Sequence, residues 1–182
     1  MGLRDNYLFK DKRCFFITTS CNNHLRLFLN ENSYKIVADS LTFLNNKYSA
    51  QLLAYVLMPN HIHLILYFTG ENRLSDYMRD FKKYTSVRLR KEIEQAGYNN
   101  LLEKLTWENR SQKFKVWQDR FDSVFLEDRL LLEVKLAYIH NNPLQEHWQL
   151  CKYHEDYKYS SAGFYLAHKE SFIPITHYRD YF

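Results

Sequence analysis

Two histidines separated by one apolar residue are the first feature of the sequence that could do chemistry. His61 and His63 flank Ile62 in an apolar run that continues as LILYF. If this run is a β-strand, residues two apart share a face of the sheet, so both imidazoles point to the same side. Polar rings in an apolar strand are costly unless they have partners. The pair is a candidate for metal ligation, and the alternative is a hydrogen-bonded histidine pair at a sheet surface.

Asn142 is a candidate third ligand. It lies four residues after Tyr138 in a segment predicted to be helical, so the two side chains share one helical face. Two imidazoles, an amide oxygen and phosphate oxygens suit Mn²⁺ or Mg²⁺ better than a closed structural zinc site. Capping of the helix end before Pro143 is the structural alternative for Asn142, and both roles are compatible.

Tyr138 is a candidate nucleophile, because a phenol one turn from a metal ligand lies where a metal-held phosphate would be presented. Tyrosine can form covalent intermediates, and a metal can polarise the phosphate and neutralise developing charge. The chain has fifteen tyrosines, so spacing alone leaves Tyr138 one candidate among many. Tyr84, in the basic segment FKKYTSVRLR, is the competing nucleophile, although no candidate ligand lies one turn from it.

The elements that position these residues follow from hydrophobic periodicity and turn residues. The patterns predict a strand over 13–20, a helix over about 33–47 capped by Asn30 or Asn32, a hairpin turning at 58–60, a helix over 74–95, a strand over 121–126 and a helix over about 128–141 that ends before Pro143. Residues 97–116 show no assignable pattern. The order predicts an α+β fold with a ferredoxin-like β-α-β-β-α-β core and antiparallel sheet, followed by a helix carrying Tyr138.

Size and composition limit the classes of protein. The 182 residues, 46% hydrophobic and 25% charged, exclude a disordered chain and suit one domain over 1–182, with a core of about 13–142 and an extension over 143–182. The absence of an apolar run near 20 residues or of a signal-like N-terminus predicts a cytoplasmic protein without a membrane span. Three cysteines without a CxxC pair suit buried free thiols.

A nucleic-acid partner is compatible with the net charge of +4 and the many aromatic residues, but composition does not require it. Cations in the second predicted helix and after Trp117 are candidates for phosphate contact, and a solvated surface is the alternative. These candidate nucleic-acid-binding residues are Arg79, Lys82, Lys83, Arg90 and Arg120. Trp117 suits either the core or base stacking, and Ser160, Ser161 and Ala162 are predicted to form a turn that closes the tail on the core.

Four motifs together resemble the single-tyrosine HUH transposases, and more narrowly the REP-associated tyrosine transposases. They are YVLMPNHIHLIL, WQDRF, AYIHNNP and KYSSAGFYL, in the family's order over roughly residues 13–166. The resemblance implies a ferredoxin-like core, a divalent metal on His61 and His63, and a nucleophilic Tyr138. That tyrosine would attack single-stranded DNA to leave a 5′-phosphotyrosine link and a free 3′-hydroxyl.

The resemblance also bears on partners and mobility. Insertion-sequence relatives usually carry Gln four residues after the tyrosine, whereas this chain has Asn142, as the REP-associated branch does. The implied substrate is single-stranded or hairpin DNA with REP-like palindromes, and the implied state is a monomer or a homodimer with shared active sites. Two other functions remain open: a structured-nucleic-acid-binding protein that has lost catalysis, and a metal-dependent hydrolase without a phosphotyrosine intermediate.

Overall fold

The computed structural model describes residues 13–109 and 112–182. The strands are β1 (Cys14–Ser20), β2 (Ala50–Met58), β3 (His61–Phe68), β4 (Thr106–Asn109), β5 (Gln112–Phe114) and β6 (Asp122–Phe125). The α-helices are α1 (Glu31–Lys47), α2 (Leu74–Gln95), α3 (Asn99–Leu105), α4 (Arg129–Asn141) and α5 (Ala162–Ala167). Within these ranges, each helix is too short or too polar to span a lipid bilayer.

Four strands form one antiparallel sheet in the order β2-β3-β1-β6, which confirms the predicted ferredoxin-like core. β1 and β3 occupy its centre, so the strand with the two histidines is paired on both sides. The unassigned stretch 97–116 contains α3 and the separate β4-β5 pair, inserted between α2 and β6.

α1 and α2 cover one face of the sheet. Asn30 caps α1, since its side-chain oxygen accepts from the Ser33 amide at 3.0 Å and the Ser33 hydroxyl accepts from the Asn30 amide at 3.2 Å. The predicted apolar stripe of α2 is buried, namely Leu74, Met78, Phe81, Thr85 and Leu89. Trp117 packs in this layer, and its indole nitrogen donates to Thr85 Oγ1 at 2.9 Å, so Trp117 is a core residue.

α4 packs on the opposite face of the sheet. Asp128 caps its first turn by accepting from the Leu131 amide at 2.8 Å, and the helix ends before Pro143 as predicted. Leu132 and Ile139 are buried in a cluster with side chains of the sheet, including Phe16. Tyr138, which is also on α4, therefore lies on the same face of the sheet as this apolar cluster.

The segment after α4 anchors that helix to its own sheet. Ser161 donates its backbone amide to the Tyr55 carbonyl at 3.0 Å, and its hydroxyl lies 3.0 Å from His140 Nε2 on α4. The Tyr165 hydroxyl donates to the Leu53 carbonyl at 2.7 Å. These contacts tie α4, β2 and the tail together, in agreement with the predicted turn at Ser160, Ser161 and Ala162.

Candidate metal centre and tyrosine site

β3 places His61 and His63 on the sheet face covered by α4. His63 is opposite Thr18 on β1 and Val56 on β2, and it is only 3% exposed. The two imidazole centroids are 4.8 Å apart. The structure thus places both rings on one face, as the alternation of a β-strand predicts.

Hydrogen bonds orient both imidazoles. His61 Nδ1 lies 2.6 Å from Asn60 Oδ1, an atom that can only accept, so this nitrogen carries the proton and Nε2 keeps its lone pair. The Asn60 amide in turn donates to the His24 carbonyl at 3.2 Å. His63 Nδ1 lies 2.8 Å from Thr18 Oγ1. Such partners on the second ring nitrogen are typical of metal-bound histidines.

Two buried polar atoms at this site have no hydrogen-bond partner among the described residues, His63 Nε2 and Asn142 Oδ1. Burying such atoms without a partner is costly, whereas a bound cation would satisfy both. Nowhere in residues 13–109 and 112–182 do three His, Cys, Asp or Glu side chains cluster as a metal site. Two neutral nitrogens and one amide oxygen fit a divalent cation that also takes oxygen ligands from a substrate.

Burial keeps the imidazoles of His61 and His63 neutral. Desolvation lowers the pKa of His61 to about 4, an effect that the nearby Asn142 side-chain oxygen partly offsets because it favours the protonated ring, and desolvation lowers the pKa of His63 to about 3. A metal binds the unprotonated imidazole, so both rings are in the ligating form at neutral pH.

These pKa values predict how the metal-free protein responds to acid. As pH falls, the histidines of the unfolded chain take up protons near pH 6.5, whereas the buried histidines of the folded chain take them up only at lower pH. The contribution of these histidines to stability is therefore present above about pH 6.5 and is lost as pH falls toward their folded-state pKa values. Those values are about 3 for His63 and about 4 for His61 and His140. Each unit of pKa difference is worth about 1.4 kcal/mol in a buried group.

Urea denaturation in a chelating buffer between about pH 4.5 and 7 measures this loss, and the free energy of unfolding should fall throughout the range. A His168→Asn variant, altered at an exposed histidine, should retain the slope. A free energy of unfolding that stayed level from neutral to acid pH would contradict the buried neutral state.

Tyr138 stands beside this pair. Its ring centroid is 5.2 Å from that of His63 and 5.9 Å from that of Phe16, and the side chain is 43% exposed. Tyr84 instead lines the groove between α1 and α2, where its hydroxyl accepts from Arg88 Nε at 3.1 Å. Of the two candidate nucleophiles, only Tyr138 lies with the histidines, and its side chain is also exposed.

Three further side chains form the rim of the site. The Lys135 ammonium lies 5.0 Å from the Phe16 ring centroid, next to Tyr138. Trp148 lies 6.0 Å from the His61 ring, and the Arg26 guanidinium lies 5.0 Å from the Trp148 ring. Sequence reasoning missed all three, although Lys135 could have been found from its spacing of three residues before Tyr138.

The five candidate nucleic-acid-binding cations do not converge on the histidines. Arg79, Lys82 and Lys83 line a cleft of about 710 Å³ between α2 and residues 114–121. Arg90 lies beside Phe114, and Arg120 is exposed in the segment before β6. Because α2 packs on the face opposite α4, this cleft is separate from the candidate metal centre.

Several of these cations are engaged within the chain. Arg79 forms ion pairs with Asp76 and Asp80, and Arg90 pairs with Glu94. Lys82 donates to the backbone carbonyls of residues 118–120 at 2.8 to 3.3 Å, and burial lowers its pKa to about 8. Lys82 therefore fixes the position of this segment, and DNA contact by the five cations stays a prediction.

Comparisons with known proteins identify a family for the chain and solved structures with a similar fold. The model of the IS200-like transposase family matches residues 15–142, a span that includes both histidines, Tyr138 and Asn142. The fold is similar to that of a REP-associated tyrosine transposase solved bound to a REP hairpin, with 19% identity, 84% of this chain and 78% of that chain covered, and a TM-score of 0.61. A crystal structure described as a candidate transposase from Deinococcus radiodurans R1 has 15% identity, coverage of 71% and 90%, and a TM-score of 0.44. No curated protein matches the sequence.

Proposed function

Because the chain belongs to the IS200-like transposase family, we propose that it is a metal-dependent single-strand DNA transposase or endonuclease that nicks and rejoins hairpin-forming DNA through a 5′-phosphotyrosine intermediate. One observation carries the proposal. The accessible Tyr138 ring lies 5.2 Å from His63, whose Nε2 is buried without a partner, as is Asn142 Oδ1.

His61, His63 and Asn142 are the residues that would hold Mg²⁺ or Mn²⁺. When bound, the ion supplies polarisation of the scissile phosphate and neutralisation of charge on its oxygens. Asn60 and Thr18 hold the two imidazoles in orientation through their Nδ1 atoms. The site thus combines a fixed set of neutral donors with a substrate that brings the negative charge.

Tyr138 is the proposed nucleophile. Its oxygen forms a bond to phosphorus while the bond from phosphorus to the 3′ oxygen breaks, and the phenolic proton leaves Tyr138 and balances the proton gained by the 3′-hydroxyl. Rejoining reverses these changes, with a 3′-hydroxyl attacking the phosphotyrosine. Since the phosphodiester energy is kept in the phosphotyrosine link, the strand can be resealed without an external energy source.

The site is proposed to be assembled from one chain. The rings of Tyr138 and His63 approach within a single protein molecule, and the tail holds α4 on the same sheet through the contact between His140 and Ser161. A monomer therefore contains all the proposed groups. A dimer that exchanges α4 would have to break either the contact between His140 and Ser161 or the hydrogen bond between Ser161 and the Tyr55 carbonyl of β2.

Lys135 is proposed to contact the scissile phosphate. Its ammonium lies over Phe16 beside Tyr138, and no carboxylate in the described part of the chain pairs with it. A charge-assisted hydrogen bond is worth about 1.5–3 kcal/mol, so Lys135→Gln should slow single-turnover cleavage roughly 10- to 100-fold. Lys135→Arg should retain most of the rate, and equal rates for Lys135→Gln and wild type would exclude the contact.

Asn142→Ala tests the third ligand. We expect it to weaken Mn²⁺ binding and cleavage by at least about tenfold, measured by titration of Mn²⁺ against cleavage rate and against thermal midpoint. Asn141→Ala is the matched control, because Asn141 is exposed and its side chain contacts His154 instead. Equal Mn²⁺ dependence in the two variants would show that Asn142 only ends the helix.

A labelled hairpin oligonucleotide with unpaired flanks tests the proposed function. With Mg²⁺ or Mn²⁺ we expect a shortened strand and a protein–DNA adduct that survives denaturation, and chelation should suppress both. Binding across varied hairpins without cleavage would favour the alternative of a catalytically inactive nucleic-acid-binding protein. Cleavage without an adduct would favour a hydrolase.

A further inference from the structure

Four rings form a continuous row across the candidate site. Tyr138 is at one end, followed by His63, His61 and Trp148, with successive ring centroids 5.2, 4.8 and 6.0 Å apart. The proposed chemistry uses the first three. Trp148, at the other end, is half-buried and belongs to the tail, outside the span matched by the family model.

The backbone fixes the position of Trp148. Its amide donates to the Gln145 carbonyl at 2.8 Å, and the Leu150 amide donates to the Pro143 carbonyl at 2.9 Å. Gln149 has φ of 47°, a left-handed conformation that residues with a Cβ rarely adopt. Such backbone persists where the surrounding structure over-determines it, and it clusters at functional sites.

Arg26 completes the arrangement from the other side. The amides of Leu27 and Phe28 donate to the carbonyl of Pro59 at 2.9 and 3.1 Å. Because Pro59 is two residues before His61, these bonds hold the segment that carries Arg26 close to the start of β3. The Arg26 guanidinium lies 5.0 Å from the Trp148 ring centroid and is exposed, and none of the ion pairs among the described residues includes it. An indole face next to an uncompensated cation is thus held at the edge of the candidate metal centre.

We infer that Trp148 and Arg26 form a stacking site for the unpaired nucleobase next to the phosphate that Tyr138 attacks. Unpaired bases stack on aromatic rings and guanidinium planes, and arginine also binds the adjoining phosphate. The base takes the indole face, and Arg26 moves from the ring to the flanking phosphate, exchanging a cation–π contact for a charge-assisted hydrogen bond. This inference rests on the proposed function, since the attacked phosphate defines the base.

Abasic scanning tests the stacking site without depending on turnover. In a Tyr138→Phe background with Mn²⁺, affinity is measured for a hairpin selected from a pool with randomised unpaired flanks, and each unpaired nucleotide is made abasic in turn. We expect one abasic position, next to the phosphate that the wild-type protein cleaves, to weaken binding at least about fivefold. In a Trp148→Leu protein the same abasic change should weaken binding less than about twofold.

Matched variants separate stacking from packing. Trp148→Leu keeps an apolar side chain at the edge of the cluster around α4. Trp148→Phe should retain the abasic effect. Tyr153→Leu changes an exposed aromatic residue of the same tail and should leave the abasic effect at the wild-type value. If Trp148→Leu remains as sensitive as wild type at every unpaired position, or if the coupled base is not beside the cleaved phosphate, the inference is overturned. The coupling between ring and base is measured by affinity and needs no cleavage. Failure of the wild-type protein to cleave would therefore count against the proposed function instead.

Discussion

Replacing Tyr138 by phenylalanine is expected to abolish strand cleavage and the covalent adduct, with a loss of at least about 10³-fold in rate. The change removes one oxygen from a side chain that is 43% exposed, so packing and folding should be unaffected. Hairpin binding should persist, because the ring and the rest of the site remain. Gel analysis of adduct and cleaved strand, alongside an affinity measurement on the same hairpin, separates catalysis from binding.

Tyr84→Phe is the matched control for this prediction. Tyr84 is equally exposed at 45% but lies in the groove between α1 and α2, away from the histidines. Its variant should cleave at the wild-type rate. If Tyr84→Phe were inactive and Tyr138→Phe active, the nucleophile would have to be reassigned to the other face of the sheet.

His63→Leu is the second change with a large expected effect. Leucine removes Nε2, a buried atom without a hydrogen-bond partner among the described residues, while filling space beside Phe16. Leucine also removes the hydrogen bond between His63 Nδ1 and Thr18 Oγ1. Because this loss and the removal of an unsatisfied polar atom oppose each other, the metal-free protein should roughly keep its thermal midpoint. The rise in midpoint produced by Mn²⁺ should disappear, and cleavage should fall by more than about 100-fold.

His168→Asn serves as the control, because it changes an exposed histidine at the end of α5 whose φ of 52° asparagine tolerates. It should retain both the metal-induced stabilisation and cleavage. Persistence of both properties in His63→Leu would rule out His63 as a ligand.

The positions of the central side chains of the candidate site could be predicted because local patterns encode them. Strand alternation places His61 and His63 on one face, and helical spacing places Tyr138 and Asn142 together. Spacing could not choose Tyr138 among fifteen tyrosines; that choice came from resemblance to a family. The fold could be predicted for the same reason, since the sequences of its long helices and paired strands have clear hydrophobic periodicity.

Other parts of the site depend on contacts between distant segments. Thr18 meets His63 only through the register of β1 against β3, and Trp148 meets His61 only through the turn after α4. The predicted hairpin turn at 58–60 explains Asn60 as a turn residue only, although its side chain also holds His61. Residues 97–116 were not assignable because α3 has seven residues and β4 and β5 have four and three, too short for a period to emerge.

The cations show a different limit of sequence reasoning. A basic helix face predicts phosphate contact, but it does not reveal that Lys82 is bound to three backbone carbonyls or that Arg79 is paired with acids. Conversely, Lys135 and Arg26 stand at the site without belonging to a basic run. Charge density along the sequence therefore does not reveal which cations lie near the candidate nucleophile.

The central claim, that Tyr138 becomes covalently joined to a DNA 5′-phosphate, is tested most directly by mapping the adduct. Wild-type protein is incubated with hairpin DNA and Mn²⁺, digested with nuclease and protease, and examined by tandem mass spectrometry. We predict a nucleotide joined through its 5′-phosphate to the peptide that contains Tyr138, with a free 3′-hydroxyl on the released strand. A nucleotide on Tyr84, or cleaved DNA with a free 5′-phosphate and no modified peptide, would contradict the claim.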